Sequence, residues 1–240
     1  MPVPRVTVSV VSHRQNALVN TFLDDLARLC GKDISIVVTE NVLDEVSLAI
    51  EGAACPFELI VNSRPKGFGA NHNAAFQHCS TPLFCVANPD IRLGFDPFPA
   101  LARALEAERA GVAGPLVRNP AGGVEDSARR SPTVASLLSK LFASASGPEY
   151  PLDRGAVAVD WVAGMFMLFH SDTFRAIDGF DEAYFLYYED VEICRRLRRL
   201  GHKVLYVPGA EVVHDARRAS RRDLSLMRHH LTSIARYLLG

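Results

Sequence analysis

An α/β fold with a mainly parallel central sheet and helices on both faces is what this 240-residue chain predicts. The first ground is alternation. β-Branched runs and segments of helical period follow one another along the first part of the chain, the order that builds parallel sheets. The second is composition: 48% hydrophobic and 22% charged residues belong to an ordinary soluble globule. At this length folding buries well over half of the unfolded surface, so neither a disulfide nor a metal staple is needed. With no internal repeat and no low-complexity linker, a single domain over residues 1–240 is expected.

Val6 to Val11 is a β-branched strand, after which Leu18, Phe22, Leu26 and Leu29 recur at helical spacing until Gly31. Ile34 to Val38 reads as a second strand, Leu43–Ile50 as a helix and Phe57 to Val61 as a third strand. A glycine-containing stretch leads into a helix at Asn71–His78, and Leu83 to Ala87 is a fourth strand ending at Asn88-Pro89-Asp90. A helix over Pro97–Ala110 carries proline in its first turn, and Val112 to Val117 is a strand. Arg118 to Arg154 is rich in Ser, Ala, Gly, Pro and Arg, with one helix at Val134–Phe142, and reads as a flap over a site. Strands follow at Val157–Trp161 and Met165–Phe169, then a helix over Glu189–Leu200 stopped by Gly201, then a strand over His202–Val207. At the C-terminus Leu224, Met227, Leu231, Ile234 and Leu238 form one helical stripe, with Arg217, Arg218, Arg221, Arg222, Arg228 and Arg236 around or before it. Such a helix suits packing on its own domain first, with a peripheral contact with anionic lipid as an additional role.

Charge excludes one class of partner. Twenty-six basic against twenty-seven acidic side chains leave −1, without the basic excess of a phosphate-neutralising nucleic-acid binder. No apolar run approaches the ~20 residues that span a bilayer. Met1-Pro2-Val3-Pro4-Arg5 leads straight into a strand rather than a signal peptide. Five scattered cysteines without a CxxC pair read as reduced thiols of a cytoplasmic protein.

Four segments carry candidate chemistry, and each has a plain structural alternative. Asp90 follows a strand of a parallel sheet, where such sheets bind ligands, and suits Mg²⁺ or Mn²⁺ completed by ligand oxygens. Asn-Pro-Asp is also good turn chemistry. Gly67-Phe68-Gly69 could bring backbone to a ligand at a helix N-terminus, or make an ordinary turn; it is neither GxGxxG nor a Walker loop. Glu189 and Asp190 could supply a general base, or merely complement a helix dipole. His214 closes a strand, where a lone histidine is more often structural than a ligand.

In combination these segments resemble the inverting GT-A glycosyltransferases of the large bacterial family that builds surface polysaccharides, from Val6 to about His214. The matches run in order: Ser12-His13; Val38-Thr39-Glu40-Asn41; Gly67-Phe68-Gly69 with Asn73; Asn88-Pro89-Asp90; Trp161-Val162-Ala163-Gly164; Gly179-Phe180-Asp181-Glu182; Glu189-Asp190; and Pro208-Gly209-Ala210 to His214. The resemblance implies a GT-A fold, with residues 1–90 as the nucleotide half, 91–222 as the acceptor half with its flap at 118–154, and 223–240 as an amphipathic helix.

It implies that Ser12 and Glu40 lie on the nucleoside, and that Asn73 and Asn88 shape the donor pocket. Asp90 would bind a divalent cation, with His214 as second ligand. Asp190 would be the base. Glu189, Trp161 and Gly164 would face the acceptor. Apart from the resemblance, Arg129-Arg130 in the irregular stretch suits a lipid-linked diphosphate of the acceptor (Arg130) or a donor phosphate, with plain solvation as the alternative. Glu40 departs from the family's commoner Asp, and Pro65 stands where Asn is frequent. The implied reaction moves a sugar, rhamnose by the likeness of the Asn-Pro-Asp, Phe-Asp-Glu and Tyr-Glu-Asp blocks, from a nucleotide-diphosphate donor to a saccharide or polyprenyl-linked acceptor. That chemistry would take place in the cytoplasm or at the inner face of the membrane, without nucleic acid. Two other functions fit the fold: a non-catalytic nucleotide-sugar-binding subunit, and a sugar nucleotidyltransferase. Against the first stand Asp90, Glu189 and Asp190. Against the second stands Ser12-His13-Arg14-Gln15-Asn16 in place of a glycine-rich triphosphate loop.

Overall fold

The computed structural model describes residues 5–49, 55–133, 149–152, 155–215 and 224–239. In chain order the elements begin β1 (Val6–His13), α1 (Asn16–Leu29), β2 (Ile34–Val42), β3 (Phe57–Val61), α2 (Phe68–Phe76), β4 (Leu83–Ala87) and β5 (Ile91–Arg92). They continue with α3 (Phe98–Glu108), β6 (Ala110–Arg118), β7 (Val124–Glu125), β8 (Ala128–Arg129), β9 (Val157–Ala158) and β10 (Trp161–Val162). The remainder is β11 (Phe166–His170), α4 (Ser171–Ala176), α5 (Glu189–Arg199), β12 (Lys203–His214) and α6 (Leu224–Leu239).

The central sheet runs β3-β2-β1-β4-β11-β6-β12-β5. It is parallel from β3 through β4 and again between β6 and β12. β11 enters antiparallel between β4 and β6. Nothing in its sequence could announce that direction, because a strand buried on both faces is apolar throughout whichever way it runs. Alternate residues of β4 serve opposite layers. Leu83, Cys85 and Ala87 meet Phe22, Leu26, Leu101 and Leu105 of α1 and α3. Phe84 and Val86 meet Phe76, Phe169, Phe174 and Phe180 on the other face, where Phe84 and Phe174 ring centroids are 5.0 Å apart. Each fully buried Phe or Leu stabilises by about 1.5–3 kcal/mol, so these two layers fix the sheet that carries the site.

Four expectations need correction. Leu43–Ala49 is not helical. Asp44 caps α1 through the Asn16 N–H at 2.9 Å, and the Asn20 side chain holds Ser47 and Ala49, so local polar bonds replace the helical ladder. α2 starts at Phe68 rather than Asn71 and ends at Phe76. β12 continues past Val207 to His214 through an irregularity around Pro208-Gly209. The stretch expected to form a flap contains two short ordered strands, β7 on β6 and β8 on β10; the helix expected at Val134–Phe142 lies outside the described residues.

Candidate active site

The carboxyl ends of parallel β1, β2 and β4 open on one edge of the sheet, the edge at which such sheets bind ligands. There a cleft of about 410 Å³ is walled by His13, Asn41, Asn88 and Asp90, with Phe185 and His229 opposite. His229 comes from α6, and its ring stacks on Phe185 at 4.6 Å. The floor includes His72, fully buried and held at Ser9 Oγ by a 2.8 Å hydrogen bond. Burial lowers its pKa to about 3, so the ring is neutral.

Ser12 and Glu40 lie behind this wall. Ser12 is fully buried, and its hydroxyl accepts the Gln15 N–H and donates to Asn16 Oδ1. Asn16, 1% exposed, donates in turn to Glu40 Oε1 at 2.7 Å. The cleft-facing amide on β2 is the next residue, Asn41. Its side chain reads the Lys66 peptide in both directions, accepting Lys66 N–H at 2.8 Å and donating to Lys66 C=O at 3.0 Å. Asn62 and Asn71 extend the same network. Asn88 lines the cleft. Asn73 faces a second cavity and is committed to Phe180, whose N–H and C=O it holds at 2.9 Å each.

Gly67 and Gly69 serve packing within the chain. A Cβ on Gly67 would stand 2.7 Å from the Phe185 carbonyl, and one on Gly69 would stand 2.6 Å from Phe180 Cβ. The Phe68 N–H donates to the same Phe185 carbonyl at 2.9 Å. The loop before α2 is thereby clasped to the segment that leads into α5.

Asp90, which lines the cleft, meets His214 beside it. Asp90 Oδ2 is 3.2 Å from His214 Nε2, and Glu125 Oε2 is 2.7 Å from Nδ1. Burial lowers the His214 pKa, but hydrogen bonds to Asp90 and Glu125 outweigh it and raise it to about 9. Asp90 Oδ1 is buried with no hydrogen-bond partner in the protein. Such an orphaned carboxylate oxygen beside an imidazole fits a divalent cation, and two protein donors leave room in its shell for phosphate oxygens and water. Among the described residues no group of three or more His, Cys, Asp or Glu is arranged to hold a metal without other ligands.

Glu189 and Asp190 open α5 immediately after Tyr187 and Tyr188, which have φ of 69° and 68°. Left-handed backbone at two consecutive tyrosines costs of order 1–3 kcal/mol each and is a signature of functional turns. Asp190 is half-buried; its Oδ2 accepts the Gly164 N–H at 2.9 Å and its Oδ1 accepts the Val191 N–H at 2.8 Å. Burial raises its pKa, and those N–H groups together with Arg129 act against the rise. Glu189, 5% exposed, has an oxygen without a partner, and burial and the Asp190 charge raise its pKa to about 8. Burial thus raises both carboxyls, and the Gly164 and Val191 N–H groups favour the charged form of Asp190.

Gly164 packs against Asp190, and Trp161 lies three residues before Gly164 in the chain. A Cβ on Gly164 would lie 3.5 Å from Asp190 Cβ, and Trp161 Nε1 donates to Arg130 C=O at 2.9 Å. The Arg130 side chain is exposed. The inward arginine is Arg129, paired to Asp126 at 2.6 Å and 5.8 Å from the Trp161 ring centre. Sequence reasoning passed over Asn62 and Glu125, gave Asn16 no role, and named Arg129 only together with Arg130. The only signals were the four-residue step from Ser12 to Asn16 and the acidic Glu125-Asp126 inside a stretch otherwise read as irregular.

Residues 4–231 match the family described as Glycosyltransferase like family 2. The chain is 30% identical over 257 residues to an N-acetylglucosaminyl-diphospho-decaprenol L-rhamnosyltransferase of Mycobacterium tuberculosis, covering 96% of this chain and 81% of the relative. It is 27% identical over 247 residues to rhamnosyltransferase WbbL of Escherichia coli K12, covering 97% and 92%. The fold is shared with the mannosyltransferase PcManGT from Pyrobaculum calidifontis, solved with GDP-Man and Mn²⁺, at TM-score 0.67 and 15% identity over 100% of this chain and 66% of that one. It is shared also with GalNAc-T7, solved with UDP, GalNAc and Mn²⁺, at TM-score 0.67 and 13% identity over 97% and 48%.

Proposed function

From its membership in Glycosyltransferase like family 2, we propose that this GT-A glycosyltransferase moves rhamnose, with inversion, from a nucleoside-diphosphate donor to a lipid-linked saccharide in cell-surface polysaccharide assembly. The donor sugar and acceptor class follow the names of the relatives, one of which acts on an N-acetylglucosaminyl-diphospho-decaprenol. Residues 1–90 serve the donor and 91–222 the acceptor. The C-terminal amphipathic helix, with Arg228 beside exposed Met227 and Leu231, rests against anionic lipid from the cytoplasmic side. No helix among the described residues is long and apolar enough to cross a membrane.

The observation that carries the mechanism is the asymmetry of the acidic pair. Inversion is one displacement, so it needs a single base on the acceptor face. Asp190, aimed by the Gly164 and Val191 N–H groups, takes the acceptor hydroxyl proton. The hydroxyl oxygen attacks the anomeric carbon from the face opposite the diphosphate, the carbon–oxygen bond to the diphosphate breaks, and the anomeric configuration inverts. Glu189 and Trp161 seat the acceptor, and Arg129 meets negative charge on it. Asp90 and His214 would hold Mn²⁺ or Mg²⁺, which supplies charge neutralisation at the leaving diphosphate. Asn88 and the Asn41 network shape the donor side, with Ser12 and Glu40 bracing it from behind through Asn16. Calorimetry of thymidine-diphospho-rhamnose binding tests the donor assignment. Binding that requires Mn²⁺ and is lost in Asp90→Ala supports it; binding indifferent to both removes the metal role.

A further inference from the structure

We infer that Glu125 is the positioning residue of the cation site: it holds His214 Nδ1 so that Nε2 is presented beside Asp90. The inference rests on the metal reading given above. Three elements bring the groups together. Asp90 follows β4, His214 ends β12, and the Asp215 N–H donates to the Asp90 carbonyl at 2.8 Å. In the β5–β12 ladder His214 pairs with Ile91. The backbone thus fixes where the imidazole begins, but not how the ring is turned.

Glu125 supplies that constraint through its 2.7 Å contact to Nδ1. It stands on β7, whose register on β6 sets Glu125 opposite Val117. The hairpin turn is itself locked, since the Asn119 side chain accepts the N–H groups of Ala121 and Gly123 at 3.0 Å each. All three side chains are sheltered, with Asp90 16%, His214 13% and Glu125 20% exposed.

A cation taking the place of the Nε2 proton leaves a neutral imidazole, which has one N–H and uses its one lone pair on the cation. A carboxylate on Nδ1 fixes that nitrogen as the donor and leaves the Nε2 lone pair for a cation, the arrangement by which carboxylates orient metal-binding histidines. Asp90 and Glu125 occupy the two different nitrogens of one ring, so only one of them shares the Nε2 side. The next residue, Asp126, pairs with Arg129 beside Trp161. The adjacent Glu125 and Asp126 therefore link the Asp90–His214 pair to the Arg129–Trp161 contact.

The test is Mn²⁺ titration in the presence of thymidine diphosphate, read by electron paramagnetic resonance of free Mn²⁺, on wild type, Asp90→Ala, Glu125→Ala and Glu125→Gln. Asp90→Ala is expected to abolish binding, and Glu125→Ala to weaken it about 10–100-fold. Glu125→Gln should stay within about threefold of wild type, because the amide carbonyl still accepts the same N–H. With Mg²⁺ bound, ¹⁵N spectra of His214 should show a fixed Nδ1–H tautomer in wild type and Glu125→Gln, and its loss in Glu125→Ala. If Glu125→Ala binds like wild type while Asp90→Ala does not, the inference is wrong and the metal reading stands. If Gln is as weak as Ala and the tautomer is unchanged, Glu125 is a direct ligand and not a positioning residue. If wild type binds no Mn²⁺, the metal reading falls and this inference with it.

Discussion

Glu189 and Asp190 are neighbours in sequence with the same charged group, and their surroundings separate them. Asp190 receives two backbone N–H groups, whereas Glu189 keeps a buried oxygen without a partner. On that basis Asp190→Asn should retain donor affinity while kcat falls by about 10²–10⁴, the usual worth of a general base. Glu189→Gln should act chiefly on acceptor KM. Steady-state kinetics with one acceptor, beside donor calorimetry, separates these outcomes; near-normal kcat in Asp190→Asn with a dead Glu189→Gln reverses the assignment. The pair also makes stability depend on pH. The folded-state pKa of Glu189 is raised from 4.5 to about 8, so the folded protein holds this proton more tightly than the unfolded chain. Its contribution is complete below about 4.5 and is lost as pH rises through about 8. Denaturant unfolding across that window should show stability falling with pH in wild type, and a flatter dependence in Glu189→Gln. An identical slope in both proteins would remove Glu189 as the source.

The loops and helices around the cleft are tied to one another through close contacts. Gly67 abuts the Phe185 carbonyl, and Phe185 lies two residues before the left-handed tyrosines that launch α5. Gly67→Ala must therefore move backbone, at a cost of about 1–3 kcal/mol for overpacking. It should also lower kcat although the residue touches neither reacting group; thermal unfolding and kinetics of the same preparation check both. α6 divides its faces. Tyr237 is buried against Tyr188, the Ser233 hydroxyl donates to Leu186 C=O, and His229 reaches the cleft. Met227 and Leu231 remain 58% and 62% exposed. The sequence stripe that included Leu224, Ile234 and Leu238 thus serves two purposes, with Ile234 packed inward. Leu231→Asp should leave the unfolding midpoint within about 0.5 kcal/mol of wild type, as a surface change does, while reducing sedimentation with anionic vesicles. Unchanged vesicle binding would remove lipid as the occupant of that face.

Across the molecule, what sequence could express was what depends on local pattern. The strands Phe57–Val61 and Leu83–Ala87 coincide with their apolar runs, and the helix over residues 189–199 stops beside Gly201. What it could not express was partnership at a distance. The antiparallel entry of β11, the capture of Leu43–Ala49 by Asn16 and Asn20, and the reach of Glu125 to His214 each depend on residues far apart in the chain. The same holds within the site. Asp90, Asn88, His214, Gly164 and Asp190 were nameable because ordered motifs carry them, whereas Asn73 was placed on the donor side and the structure commits its amide to Phe180. Arg129 and Arg130 differ only in which way the strand turns them. The account as a whole rests on sugar transfer with inversion at this cleft. It is tested by incubating the protein with thymidine-diphospho-rhamnose, an N-acetylglucosaminyl-diphospho-polyprenol and Mn²⁺, and reading the anomeric configuration of the product by NMR. A rhamnosylated lipid with configuration opposite to the donor's, absent in Asp190→Asn, is the expected result. A product that retains the donor's configuration, or equal turnover in Asp190→Asn, would contradict it.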